Sequence, residues 1–344
     1  MAQVMDSPAT KTRSRKLIAG IGRLFEWLVF FGLAASSVST LLYADQFRIG
    51  MLLTYTPRVV WLVIAALLLV FYVCNRQKYR IVFVILFSVL LVRDLPIGGG
   101  SSQVDECLTL LSFNFGNEVE QTHRIAKLCD EENVDVLIIQ EVSPANRSRF
   151  VAALPDFTFC WPDESVEFEH SEPWVFSCLT GVRSELLADE VSTEVFTGIT
   201  GYRTFAVQTE IAGRSVHLVN VHSTKPVRLY YGLADFVSYA ASKAARHRVE
   251  RDRLACWISS HDDAPVLVAG DFNAPANSYN LRFADLHHAF GDSGTGVHLT
   301  FPRSCPMIGI DHVLGSERVS FVSCKIIDAG FSDHRPQVTR FQIK

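Results

Sequence analysis

Apolar positions along the chain follow two regimes, long unbroken runs as far as residue 97 and short runs closed by a polar residue beyond it. Trp27 to Ala44 is 18 residues without a formal charge and Val59 to Asn75 is 17, near the lower edge of what crosses about 30 Å of hydrocarbon. Both predict transmembrane helices. Ile81 to Val92 is a third run of 12 residues. By itself it fits a buried or interfacial helix, but Tyr79, Arg80 and Arg93 can snorkel to headgroups, and Leu95 to Ile97 extend it. A cleaved signal peptide fits less well, because the first run begins late and is followed by more apolar sequence.

Gly98-Gly99-Gly100-Ser101-Ser102 reads as a flexible linker, which sets the expected boundaries: a membrane region over 1–97, a linker over 98–104 and a second domain over 105–344. In that domain Leu108 to Phe113, Val134 to Ile139, Val216 to Val221, Val266 to Ala269, Ile310 to Leu314 and Gln337 to Ile343 predict strands. Glu118 to Glu132, with Ile125, Leu128 and Cys129 on one face, and Leu233 to Ser260 predict helices. The mixture implies an α/β sandwich whose site lies at strand ends.

Charge divides at the same place. Residues 1–102 hold 11 Lys and Arg against 4 acids, a formal +7, and the remainder stands at −11 with all 11 histidines. An acidic domain is a poor general ligand for a phosphate backbone, so bulk nucleic-acid binding is disfavoured, though a local basic groove is not. Lys11, Arg13, Arg15, Lys16 and Arg23 precede the first run, and Arg76, Lys78 and Arg80 separate the second from the third. The positive-inside rule assigns both clusters to the cytoplasm. Three spans then place the second domain outside the inner membrane, and two leave it in the cytoplasm. The 8 cysteines form no CxxC pair, so they give no zinc or redox signature. Cys160 and Cys178 suit either a disulfide, if the domain is extracytoplasmic, or small buried thiols.

The chemistry sits in five motifs: Leu111-Ser112-Phe113-Asn114, Ile139-Gln140-Glu141, Gly270-Asp271-Phe272-Asn273, Ile310-Asp311-His312 and Ser332-Asp333-His334-Arg335-Pro336. Gly270 permits a sharp turn out of its strand, and alternation aims Asp271 and Asn273 the same way. Glu141 follows a buried-strand pattern and is the first candidate ligand for Mg²⁺ or Mn²⁺, which favour oxygen donors. Asn114 and Asn117 are candidates for orienting that site or touching a phosphate oxygen. A carboxylate beside His334 would fix its tautomer and raise its pKa, and Asp311 is the candidate. His222, closing its apolar run, can donate to a phosphate oxygen. His312 should point away from Asp311 and is read as structural.

With these motifs, residues 105–344 resemble the endonuclease/exonuclease/phosphatase superfamily. The resemblance implies a four-layered α/β/β/α sandwich and in-line attack of water on phosphorus assisted by Mg²⁺ or Mn²⁺. It further implies Glu141 as metal ligand with Asn114 and Asp333 near it, Asp271 and Asn273 handling water and transition state, His334 paired with Asp311, and His222 contacting phosphate. Where the family often has a Ser-Arg strand, this chain has Phe176-Ser177-Cys178-Leu179-Thr180. The multi-span start is similar to membrane-anchored bacterial members, some associated with lipid-linked phosphates. The expected function is a membrane-anchored, metal-dependent phosphoesterase acting on a phosphate or pyrophosphate ester, lipid-linked by preference. A nuclease of the same superfamily and an inactive module binding phospholipid or a partner are the alternatives.

Overall fold

The computed structural model describes residues 8–39, 42, 48–93, 95, 97–98, 100, 106–116, 121–162, 177–187, 191–195, 204–225 and 233–344. Asn117, Phe176 and part of the expected linker lie outside them.

Four helices come first: α1 (Pro8–Ser39), α2 (Arg48–Tyr55), α3 (Arg58–Cys74) and α4 (Lys78–Arg93). Leu33, Leu68, Tyr72, Val84 and Leu91 form the contact between α1, α3 and α4, while Phe25, Phe31, Leu67, Phe71, Leu86 and Val89 lie exposed on them. Among the described residues one stretch, Gly20–Ser39 within α1, is long and apolar enough to cross a membrane, and α3 is a shorter apolar helix. At about 1.5 Å per residue, α3 and α4 reach roughly 25 Å each. Arg80, expected to snorkel outward, instead pairs with Glu26 of α1 and lies over the Trp27 and Tyr72 rings.

The remainder is two six-stranded sheets. The first holds β1 (Leu108–Asn114), β2 (Val136–Val142), β3 (Phe157–Cys160), β4 (Ser177–Arg183), β11 (Val319–Ile326) and β12 (Gln337–Ile343), in the order β11-β12-β1-β2-β4-β3. The second holds β5 (Ser192–Val195), β6 (Phe205–Ile211), β7 (Arg214–His222), β8 (Val266–Asp271), β9 (Leu286–His288) and β10 (Asp311–Ser316), in the order β5-β6-β7-β8-β10-β9. At the centre of each is one parallel pair, β1 with β2 and β7 with β8. A parallel pair needs a crossover, and α5 (Thr122–Glu132) and α7 (Leu233–Ser260) supply the two.

Three apolar layers bind this into the α/β/β/α sandwich. Leu110, Ile138, Leu218, Leu267 and Phe341 fill the space between the sheets. Ile125 and Leu128 of α5, with Phe150 of α6 (Pro144–Ala153), cover the outer face of the first sheet. Leu254, Trp257 and Ile258 of α7 cover the second. A short helix α8 (Ala289–Ser293) adds Ala289 and Phe290 to the core between the sheets. None of the cysteines forms a disulfide, which leaves Cys178 a buried thiol and Cys160 a half-buried one.

Candidate active site

Asn114, Glu141, His222 and Asp271 all stand at the carboxyl ends of the two parallel pairs. Register brings the second sheet's contributors side by side, because Asp271 is the partner of His222 on β7 and of Asp311 on β10. Neighbours in register point to one face of a sheet, so the three side chains share the face turned toward the first sheet. His312, one residue on, points to the other face, where its Nε2 donates to the Ala274 carbonyl at 2.8 Å and its ring meets Phe272 and His298. Burial keeps it neutral, well below the ordinary imidazole range.

Asp271 is the hub. Its carboxylate accepts from Asn114 Nδ2 at 3.0 Å, from Asn273 Nδ2 at 3.0 Å and from the Asn273 backbone N–H at 2.8 Å. His222 Nε2 lies 3.8 Å and His334 Nε2 3.9 Å away. Burial pushes Asp271 up to about 7, against the pull of His334 and the amide donors. His334 is set the opposite way. Burial would lower its pKa, but the Asp311 carboxylate, 2.9 Å from Nδ1, overrides that together with Asp271 and raises it to about 9. Nδ1–H therefore donates to Asp311, and Nε2 faces Asp271. Thr300 Oγ1 accepts from the Asp311 N–H at 3.3 Å, and Phe301 lies 4.9 Å from the His334 ring.

Glu141 owes its direction to a break in the ladder. The pairing of β2 with β4 shifts between Ile139 and Val142, and Glu141 itself takes a left-handed φ of 59°, a conformation that costs an ordinary residue on the order of 1–3 kcal/mol. Its half-buried carboxylate accepts from Asn114 Nδ2 at 3.2 Å and lies 3.4 Å from His222 Nε2. Gln140, which stands in the Ile139-Gln140-Glu141 motif without an assigned role, and Asn220, which motif reading passes over, flank the break. Asn220, fully buried, donates to the Ile139 and Leu179 carbonyls at 3.1 and 3.0 Å and accepts from Gln140 Nε2 at 2.9 Å. Asn220 is a single amide inside the apolar run Val216 to Val221, and that interruption was its only sequence signal. Gly270 is required for close approach rather than for a turn. It lies within β8, and a Cβ there would stand 2.0 Å from the Val221 carbonyl oxygen.

Of the two other expected ligands, Asn114 lies beside Glu141 and Asp333 lies at the rim. Asn114 turns its oxygen to the Gly116 N–H at 3.0 Å and its nitrogen to both carboxylates, so it acts as a donor that bridges them. Asp333 stands exposed at the rim, 4.0 Å from His334 Nε2. Ser332 Oγ ties this loop to β1 by donating to the Asn114 carbonyl at 2.7 Å.

The donor set fits a hard divalent cation. Asp271, Asp311 and His334 offer atoms within 4.8 Å of one another, but Asp311 is committed to His334 Nδ1. The oxygens of Glu141 and Asp271, brought together by Asn114 and His222, are the better match for Mg²⁺ or Mn²⁺. Four carboxylates around two imidazoles also leave negative charge that such an ion would balance.

Residues 111–334 match the family model described as Endonuclease/Exonuclease/phosphatase family. No curated protein sequence matches the chain. Among solved structures, an endonuclease/exonuclease/phosphatase from Bacteroides vulgatus has a TM-score of 0.53 at 16% identity, over 70% of this chain and 100% of its own. A humanized D. rerio TDP2 follows at 0.52 and 17%, over 69% and 99%. A mannosyl-6-phosphatase from Bacteroides thetaiotaomicron gives 0.51 and 15%, over 69% and 100%. At these identities the likeness is one of fold.

Proposed function

The chain belongs to the endonuclease/exonuclease/phosphatase family of metal-dependent phosphoric ester hydrolases, and from that membership and the site's geometry we propose that it is a membrane-anchored hydrolase of a lipid-linked phosphate or pyrophosphate ester. The observation that carries the chemistry is the buried Asp271 set between two imidazoles and two amides.

Glu141, with Asp271 beside it, would hold Mg²⁺ or Mn²⁺, which when bound neutralises charge on phosphoryl oxygens and acidifies coordinated water. The side chains divide the remaining work. Asp271, with an affinity for protons near neutrality, orients the attacking water and takes its proton. Asn273 fixes that carboxylate from both its backbone and its amide. His334, held as imidazolium by Asp311, presents Nε2–H to a phosphoryl oxygen, and His222 supports the charge from the other side. The apolar α1, α3 and α4 supply the anchor, and the positive-inside distribution favours a catalytic domain outside the inner membrane. Tethering raises the effective concentration of substrates in the same bilayer, and the domain's charge of −11 argues against nucleic acid.

The test is hydrolysis by the full-length protein in nanodiscs, with Mg²⁺ or Mn²⁺, of a polyprenyl pyrophosphate, a phospholipid, a soluble sugar phosphate and single-stranded DNA. Metal-dependent turnover of a lipid substrate that His334→Ala abolishes is expected. Equal rates from wild type and variant on every substrate would refute hydrolysis, and turnover of DNA alone would favour the nuclease.

A further inference from the structure

A Gly-Gly-Gly-Ser-Ser stretch suggests that the catalytic domain swings on a loose tether, yet the amino-terminal helices are fastened to it at three places. Ile97 bridges Val297, the Gly98 N–H donates to the Gly296 carbonyl at 3.2 Å, and the Gly100 N–H to that of Gly294 at 3.0 Å. Glycine is needed at 98, because a Cβ there would stand 2.1 Å from the Gly294 oxygen.

The second attachment is α2, which packs Met51 and Tyr55 against Ala244 of α7, with Tyr55 also against the apolar layer that contains Phe272. The Tyr55 hydroxyl lies 3.4 Å from His247 Nδ1, and His247 Nε2 lies 2.8 Å from the Phe272 carbonyl oxygen. A carbonyl only accepts, so Nε2 carries the hydrogen and Nδ1 is the acceptor for Tyr55 O–H. Burial lowers the His247 pKa to about 4, which keeps this neutral tautomer at physiological pH. The Asn280 amide also faces Nδ1, at 3.5 Å. Phe272 is the residue between Asp271 and Asn273.

Arg58 makes the third attachment. From the start of α3 it donates to the Ser36 carbonyl of α1 at 3.0 Å, and Nε donates at 3.2 Å to the Asn277 amide oxygen once that amide is turned to present it. The end of the helical bundle thus rests on the loop that follows Asn273.

We propose that the amino-terminal helices are part of the catalytic apparatus: Tyr55, through His247, is a positioning residue for the Asp271–Asn273 loop, and the bundle fixes that loop at the bilayer surface, where the substrate is a phosphate ester on a lipid. The substrate class rests on the function proposed above; the positioning role does not. A loop held by its backbone carbonyl keeps Asp271 aimed, and small misplacements of such a group cost up to about 100-fold in rate.

The experiment uses full-length protein in phosphatidylcholine/phosphatidylglycerol nanodiscs. Tyr55→Phe, which removes only the hydroxyl, should lower kcat by about 10-fold with KM and melting temperature unchanged, and should speed amide exchange across 271–280 several-fold. A lipid-borne phosphate ester should be turned over with a kcat/KM about 10-fold or more above that of the same headgroup without its chains. Unchanged exchange and kcat in both Tyr55→Phe and Tyr55→Ala would overturn the positioning role, and equal kcat/KM for the two substrates would overturn the bilayer-surface assignment. Amide exchange decides the first point even if wild type hydrolyses nothing, an outcome that would instead refute the proposed function.

Discussion

Asn220→Ala is the sharpest test of how the two sheets aim Glu141. The wild-type amide spans the core gap from β7 to β2 and β4, and its loss removes the bonds it makes with the Ile139 and Leu179 carbonyls and the Gln140 amide. A buried hydrogen bond contributes about 0.5–1.5 kcal/mol net. Three such bonds give about 3 kcal/mol. For a domain of this size that lowers the melting temperature by about 6–12 °C. Asn220→Leu fills the volume but satisfies none of the three groups, so it should recover little of the loss. The break in the ladder should loosen as well, and because Glu141 sits within it, apparent affinity for Mg²⁺ should fall about 10-fold or more. The assays are thermal melting by tryptophan fluorescence and a Mg²⁺ titration of activity. A melting point within about 1 °C of wild type for both variants would refute the reasoning, since it would mean that the three groups find partners as good elsewhere.

Other substitutions probe separate parts of the site. Asp311→Asn keeps an acceptor for His334 Nδ1 but removes the charge, so the His334 pKa should drop from about 9 to the ordinary range or below, and activity between pH 7 and 9 should fall about 100-fold. NMR titration of labelled histidine checks this. The sign for stability follows, because a raised imidazole pKa contributes stability fully present below about 6.5 and lost as pH rises through about 9; the variant's melting point should be flatter over that window. Glu141→Gln should melt like wild type yet lose about 100-fold or more in activity, with excess Mg²⁺ restoring part of it; full activity at ordinary Mg²⁺ would remove Glu141 as a ligand. Gly270→Ala should cost about 3 kcal/mol or more, because the new Cβ meets the Val221 carbonyl and φ is 141°, and a folded yield equal to wild type would contradict that contact.

What the sequence revealed of the fold depended on how deeply each strand is buried. The six strands it predicted, β1, β2, β7, β8, β10 and β12, are interior to the sheets, and burial on both faces writes a strand as a near-continuous apolar run. Those it missed include all four edges, β3, β5, β9 and β11. In β11 the buried positions are interleaved with half-exposed ones, so no apolar run marks it. Among the site residues, Asp271, Asp311, His334 and Glu141 carry charge at strand ends and were legible for that reason. Asn220, Gln140 and His247 act from inside apolar surroundings, and their use appears only once the second sheet or α7 is laid over them.

The same contrast explains why so acidic a site holds together. Asp271 and Asp311 are register partners on adjacent strands, fully buried, and two neighbouring carboxylates in a core repel each other unless each has its own cation or donors. The chain separates their obligations. Asp311 is neutralised by His334, which it keeps as an imidazolium. Asp271 is left with amide donors and the outer edges of two imidazoles, enough to hold it in place but not to hold it ionised, as its rise to about 7 indicates. A carboxylate so placed takes a proton readily near neutrality, which a base acting on water requires. Glu141, half-buried beside His222, is more open to solvent than either aspartate. Burial, register and two histidines thus set Asp311 and Asp271 to opposite protonation behaviour without any difference in their intrinsic chemistry.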